Sequence, residues 1–266
     1  MGQGYASSRH GGDSATGTLT SPPFTVGASY LNFLVGGGRN PLAPTVFADF
    51  EGTTFGTGWM STGSFAGEGP LAGSLPQQRG AKTLDTFAGG GDPATGTISS
   101  PSFRITRDFV NFLIAGGNRP HGTPASASIN LVVDGEVVRR ATGSGDDVMR
   151  PVAWDVHDLV GRSARIEVVD DAAGGGWAHI MVDHILFSGS SSFDPSPVAE
   201  TTVNLIVGGR IVRTATGSGD GRLRWTSWDI DDLIGSTAQV QIVDDNTGEW
   251  GHITADQFLL SNVPAT

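Results

Sequence analysis

A passage near the start of this chain recurs later at one fixed offset. Gly12-Asp13-Ser14-Ala15-Thr16-Gly17-Thr18 returns as Gly91-Asp92-Pro93-Ala94-Thr95-Gly96-Thr97. Ser21-Pro22-Pro23-Phe24 returns as Ser100-Pro101-Ser102-Phe103, and Asn32-Phe33-Leu34 as Asn111-Phe112-Leu113. About half the positions in 12–41 are repeated identically. The later part repeats at a different offset. Asn130-Leu131-Val132-Val133-Asp134-Gly135 returns as Asn204-Leu205-Ile206-Val207-Gly208-Gly209. The run Ala141-Thr142-Gly143-Ser144-Gly145-Asp146 returns unchanged at 215–220, Trp154-Asp155 returns as Trp228-Asp229, and Asp170-Asp171 as Asp244-Asp245.

The chain therefore reads as a first half, a whole unit and a second half. This order predicts one domain inserted into a loop of its sister. The inner copy is expected over 46–190, and the discontinuous outer copy over 1–44 plus 195–266. The cut follows Gly37-Gly38-Arg39-Asn40-Pro41, opposite the inner loop 116–128, a kind of position that tolerates insertion. The outer copy has no match to 46–81, which contains the expected first strand, Val46-Phe47-Ala48-Asp49-Phe50-Glu51. Either the chain starts inside a domain, or the outer domain closes without that strand. In the second case its closing strand has an unpaired edge. That edge would be covered by the inner domain, by the segment 2–10, or by a second chain in a homodimer.

The strand signals are short and end at glycines, of which there are 40 in 266 residues. Apolar runs at 30–35 and 109–114 stop at Gly pairs. The runs 129–133 and 136–141 flank Asp134-Gly135, a two-residue hairpin signature. The alternating segments 164–169 and 238–243 fit half-buried strands, and 179–187 and 252–260 fit closing strands. Only 154–161 looks helical, and it is too short for more than a turn. The fold class expected is all-β, with two antiparallel β-sandwich domains of jelly-roll type.

A formal net charge of −11 opposes nucleic-acid binding and anionic membranes. It suits neutral ligands such as sugars, and Ca²⁺. The chain has no cysteine, so disulfides, thiolate catalysis and cysteine zinc sites are excluded. No apolar run approaches the ~20 residues of a membrane span, and residues 1–20 lack the apolar core of a signal peptide.

The inner copy strings together Ala48-Asp49-Phe50-Glu51-Gly52, Gly69-Pro70-Leu71-Ala72-Gly73-Ser74-Leu75-Pro76 and Gly91-Asp92 with Thr95-Gly96-Thr97-Ile98-Ser99-Ser100-Pro101. It continues with Trp154-Asp155-Val156, Val169-Asp170-Asp171, Gly175-Gly176-Trp177-Ala178-His179-Ile180 and Val182-Asp183-His184-Ile185. Together these resemble the β-sandwich accessory module of levanases and other fructan hydrolases of glycoside hydrolase family 32, which is similar to levan-binding carbohydrate-binding modules. The resemblance spans the inner copy and all of the outer copy present. It implies a non-catalytic module that binds fructan polysaccharide or oligosaccharide. It also implies a glycoside hydrolase domain in cis or in trans, and an extracellular or periplasmic setting. The catalytic propeller of that family carries Asn-Asp-Pro-Asn-Gly, Arg-Asp-Pro and Glu-Cys, and none of these occurs here.

Three groups of residues suit ligand chemistry. In the loop 170–179, Asp170 and Asp171 precede a glycine-rich turn that leads to Trp177 and His179. Asp244, Asp245, Trp250 and His252 repeat the set. An aromatic face and charged acceptors are what a sugar ring and its hydroxyls require. The same residues also suit a structural role, with Trp plugging the sandwich edge. Arg119, in Asn118-Arg119-Pro120-His121, has a fork of donors fit for hydroxyls, or lies in an ordinary solvated loop. Asp49, Glu51 and Asp183 fall on the expected first and last strands and could hold a structural Ca²⁺ between them, or form a surface acid cluster. No other cofactor is expected. Adjacent Asp170 and Asp171 diverge on a strand and do not make a glycosidase pair.

Overall fold

The computed structural model describes residues 4–194 and 199–265. It is an all-β sandwich fold, its only helical pieces among the described residues being single 3-10 turns. The chain divides into two compact units, residues 1–44 with 196–266, and residues 45–195. The expected start of the second outer piece, at residue 195, lies outside the described residues.

In the inner unit one sheet runs Glu136–Ala141, Ala127–Val133, Ser163–Asp170, Gly96–Ser99, Met60–Ser61. The other runs Asp146–Asp155, Phe109–Gly116, Ile180–Ser188, Lys82–Asp85, Leu71–Ala72, and Thr45–Ala48 also pairs with Ile180–Ser188. Every ladder in it is antiparallel. Strand alternation sends Ala164, Ile166 and Val168 inward, where they meet Ile129, Leu131, Phe112 and Ile180 in one apolar core. Asp134 (φ 51°) and Gly135 (φ 86°) both take the left-handed backbone that the two-residue hairpin requires.

The outer unit has the same plan with fewer strands. Its sheets run Ala6–Ser7, Ile253–Ser261, Tyr30–Gly37, Asp220–Asp229 and Arg210–Thr216, Thr201–Val207, Thr237–Asp244, Gly17–Thr20. Its core gathers Phe33, Val203, Leu205, Ile242 and Ile253.

The ten-residue strands Asp146–Asp155 and Asp220–Asp229 carry no alternating apolar pattern, and the helix-like stretch 154–161 is not helical throughout. Trp154 and Asp155 in fact end a strand, and the turn is His157–Leu159. The first of these is an edge strand, which explains why it tolerates Pro151 and carries mixed polarity.

The repeated phrases now have physical duties. Asn111 is buried, and its Nδ2 donates to the carbonyls of Ser190 (2.8 Å) and Ser192 (3.1 Å), holding the chain that leaves the closing strand. Asn32 does the same with the Val263 carbonyl at 3.0 Å. Phe112 meets Trp154 edge-on at 4.7 Å, and Phe33 meets Trp228 at 4.6 Å. The Thr142 hydroxyl lies 2.8 Å from the carbonyls of both Gly117 and Ala127, while Thr216 reaches those of Gly38 and Thr201. Gly143 and Gly217 pass so close to the central strand that a Cβ would stand 2.2 Å from the Gly116 oxygen and 2.4 Å from the Gly37 oxygen.

That crossing gives a test. Gly143→Ala should destabilise the inner unit by about 2–3 kcal/mol, the cost of forcing backbone apart in a packed region. Gly217→Ala should do the same to the outer unit. Hydrogen exchange read peptide by peptide separates the two units. Loss of protection confined to the mutated unit is expected, and unchanged protection in both variants would refute the crossing as a packing constraint.

Candidate functional site

The repeated residues without a core duty gather at one end of each sandwich. In the inner unit Ser163–Asp170 leads into the loop 171–179, and Ile180–Ser188 leaves it. The two carboxylates at the loop's start are divided by strand alternation. Asp170 is buried, its carboxylate accepting the Thr86 hydroxyl at 2.6 Å and the Ala172 N–H at 3.0 Å. Burial raises its pKa above the ordinary carboxylate range, while Thr86 and Ala172 hold it down. Asp244 is buried likewise and accepts from the Asn246 N–H. Neither can touch a ligand at the surface, which corrects the expectation for Asp170 and Asp244. Asp171 and Asp245 are the exposed members.

Trp177 is 38% exposed and Trp250 37%, so neither ring plugs the core. Both have left-handed backbones, φ 57° and 58°. Such a conformation costs a bulky residue of order 1–3 kcal/mol and clusters at functional sites. Each ring lies 5.6 Å from the following histidine, His179 or His252. The His179 Nδ1 bonds the Asp92 carboxylate at 2.7 Å, and the His252 Nδ1 bonds Asp13 at 2.8 Å. A carboxylate on Nδ1 fixes each ring. His179 keeps a partly exposed edge with Nε2 able to serve another group, whereas His252 is buried, which corrects the expectation of it as a ligand contact. Asp13 and Asp92 belong to the repeat, yet were not singled out as site residues. Their pairing with the histidines spans far too much chain to be read from spacing.

The inner site has two further members that the sequence did not mark. Phe87 is half-exposed and meets His179 edge-on at 5.1 Å. Asp85 accepts from the Phe87 N–H at 2.9 Å, and burial raises its pKa against the pull of that bond and of His179. The outer unit differs here. Strand register sets Ser7 opposite Thr254 as Asp85 is set opposite Met181. This puts Arg9 in the position of Phe87, 3.7 Å from Asp13.

Arg119 is not offered to a ligand. Its guanidinium donates to the carbonyls of Trp177 (3.2 Å), Gly176 (3.2 Å) and Gly174 (3.5 Å) and so clamps the aromatic loop. The outer counterpart by offset is Asn40, which donates to Thr201, while Asn246 braces the outer loop through Ala199 and Gly248.

Asp49, Glu51 and Asp183 have separate tasks. The Glu51 carboxylate accepts from the Ala81 and Lys82 N–H groups at 2.9 and 3.1 Å, and Asp49 accepts from the Glu51 N–H. Asp183 is fully buried. Its Oδ2 accepts from the Arg79 N–H at 3.0 Å, and its Oδ1 has no partner among the described residues. Among the described residues no group of three or more His, Asp or Glu is arranged to hold a metal ion. No helix among them is long and apolar enough to cross a membrane.

No family model matches the chain. Over 159 residues, 57% of its length, it is 40% identical to the putative glycosyl hydrolase ecdE of Aspergillus rugulosus, of which it spans only 22%. Among solved structures it is similar to the K2 cleaved adhesin domain of Lys-gingipain, with TM-score 0.37, 15% identity, and 55% of this chain and 99% of that one covered. It is also similar to the CBM51 of Clostridium perfringens GH95 in complex with methyl-galactose, with TM-score 0.27, 17% identity and coverages of 57% and 91%. At such TM-scores these likenesses do not establish a shared fold.

Burial pushes the Asp183 carboxyl from 3.8 to about 7, with Glu51 and Asp49 adding to the rise. Between these values the folded chain keeps a proton that the unfolded chain releases. This group's contribution to stability therefore falls as pH rises from about 4 to about 7, by ~1.4 kcal/mol per pH unit at most. Asp183→Asn removes that titration. Its inner unit should gain stability relative to wild type between pH 4.5 and 7.5 in denaturant titrations. Parallel pH profiles for the two proteins would refute the buried-acid reading.

Proposed function

We propose that the chain is a non-catalytic carbohydrate-recognition module of a glycoside hydrolase, directed to fructan and working outside the cytoplasm. The observation that carries this is the pair of half-exposed tryptophans, held in a strained backbone beside an aspartate-bound histidine in both copies. An apolar ring face for sugar C–H groups, flanked by groups that serve hydroxyls, is the chemistry of saccharide binding. In the inner site Phe87 widens the aromatic surface, and Asp171 adds an exposed carboxylate. Two support a link to a hydrolase: the 40% identity with a protein named as a putative glycosyl hydrolase, and the confinement of the match to 22% of that protein. Fructan is the ligand that the levanase-module phrases imply. Two sites on one chain would raise avidity on a polymer.

The catalytic reading draws on the same relative's name. Against it, Asp170 and Asp244 are buried, which leaves one exposed carboxylate in each adjacent pair, and glycoside hydrolysis uses two. Incubation with levan, inulin and sucrose, followed by assay for released sugar, decides between the readings.

Trp177→Ala should weaken retention on levan affinity gels about tenfold, the equivalent of ~1.4 kcal/mol, with the circular dichroism unchanged. Trp250→Ala should have a separate effect of similar size. Wild-type protein that no fructan retards would remove the fructan reading. Retardation by another polysaccharide, lost in Trp177→Ala, would retain carbohydrate recognition and change the ligand.

A further inference from the structure

The two copies differ most where the outer one has no counterpart of residues 45–81. In the inner unit Thr45–Ala48 lies antiparallel beside the closing strand, with Thr45 opposite Phe187, Val46 opposite Leu186 and Ala48 opposite Ile185. Val46 faces solvent and Phe47 faces inward. The Phe47 ring rests on Phe187 at 4.8 Å, Phe103 at 4.9 Å and Trp59 at 6.1 Å. Ile98, in the same core, is 0% exposed and is paired along its strand by Met60–Ser61.

The outer unit keeps the floor and lacks the cover. By the repeat offset Leu19 stands for Ile98, and Phe24 for Phe103. In the closing strand Phe258, Leu259 and Leu260 stand for Ile185, Leu186 and Phe187. Leu19 is 59% exposed, and Leu259 and Leu260 are also exposed. Leu19, Phe24, Ile242, Phe258, Leu259 and Leu260 line an apolar groove of about 680 Å³. The short strand Ala6–Ser7 pairs with Ala255 and Thr254, as Lys82–Asp85 pairs with Met181 and Val182. Its pairing stops there. On that flank, no described strand pairs with residues 258–260. An apolar groove beside an unpaired strand edge has the form of a β-augmentation site.

We propose that this groove takes up an extended strand with the chemistry of the inner Thr45–Ala48: an inward aromatic residue between an outward β-branched residue and a small one. The strand runs antiparallel to 258–260 and seats its aromatic ring on Phe24 and Leu260, where Phe47 sits on Phe103 and Phe187. The sister unit in the same chain has the equivalent floor filled by such a strand, with Phe47 on Phe103 and Phe187. The remaining residues that make up the outer sheets are already paired elsewhere. The groove lies apart from Trp250 and His252, which precede the strand Ile253–Ser261.

The probe is a synthetic peptide of residues 45–52, Thr-Val-Phe-Ala-Asp-Phe-Glu-Gly, added to the full chain. Amide exchange at 258–261 and 19–25 should slow tenfold or more, and the melting transition of the outer unit should rise. Exchange at 185–187 should not change, because the inner groove is filled. A peptide with Phe47→Asp should protect nothing. The full-chain variant Leu260→Arg should no longer respond to the peptide. Leu19→Glu, at a more exposed position, gives the same readout where Leu260→Arg folds poorly. The proposal is overturned by equal protection from the Phe47→Asp peptide, or by no protection at all. It is also overturned by a wild-type chain that is dimeric, becomes monomeric in Leu260→Arg and refuses the peptide, which assigns the groove to a second copy.

Discussion

The strand Tyr30–Gly37 is hydrogen-bonded on one side to Asp220–Asp229 and on the other to Ile253–Ser261. The centre of the outer unit's sheet thus joins parts of the chain roughly two hundred residues apart, and no outer core exists until that junction forms. Closing so long a loop costs little more than closing a short one, about 0.6 kcal/mol per doubling of length. The demand is geometric instead: whatever lies between must return the chain to its starting place. The inner unit does this through its first strand. Thr45, where that unit begins, is the direct cross-strand partner of Phe187, near where it ends. A domain whose first and last strands are neighbours can be inserted into a loop of another without prising the loop open. The strand missing from the outer copy is therefore the same element that makes the inner copy insertable.

Much of this was legible because the chain states its plan twice. The all-β class followed from glycine-bounded apolar runs, and the runs 109–114, 129–133, 164–169 and 179–187 fall on the strands Phe109–Gly116, Ala127–Val133, Ser163–Asp170 and Ile180–Ser188 to within a residue or two at each end. The phrases that repeat most faithfully proved to be packing constraints. Thr142-Gly143 presses against the backbone of the central strand, and Asn111 tethers the departing chain. The strand Asp146–Asp155 escaped notice because an edge strand has no need of continuous apolar residues. Its arginine pairs locally instead, Arg150 with Asp146 at 2.6 Å.

The site was legible only in part, for a different reason. Trp177, His179 and their copies stood out as repeated residues in a turn. Which side chains face solvent is a matter of one residue's alternation at a strand end, and there the adjacent carboxylates separate into a buried member and an exposed one. Arg119 suggested a grip on hydroxyls because its donor fork suits them. Three nearby loop carbonyls suit the same fork and are fixed in place, so they hold it. Asp92 was visible in the repeat but mute about its role, since only the fold brings it to His179. Phe87 and Asp85 are not repeated, and nothing in spacing or composition points to them.

That last asymmetry bears on how the two sites work. Both present Trp, His and Asp in nearly the same geometry, 5.6 Å between rings in each and 2.7 or 2.8 Å from histidine to aspartate. Beside this shared group the inner site has Phe87 and the outer site Arg9, whose charge lies near the Asp13 that holds His252. An aromatic face rewards the flat apolar side of a ring, whereas a guanidinium rewards oxygen acceptors. The inner loop is clamped by a charged fork and the outer loop by a neutral amide. The two copies thus share one central group and differ in the chemistry set beside it.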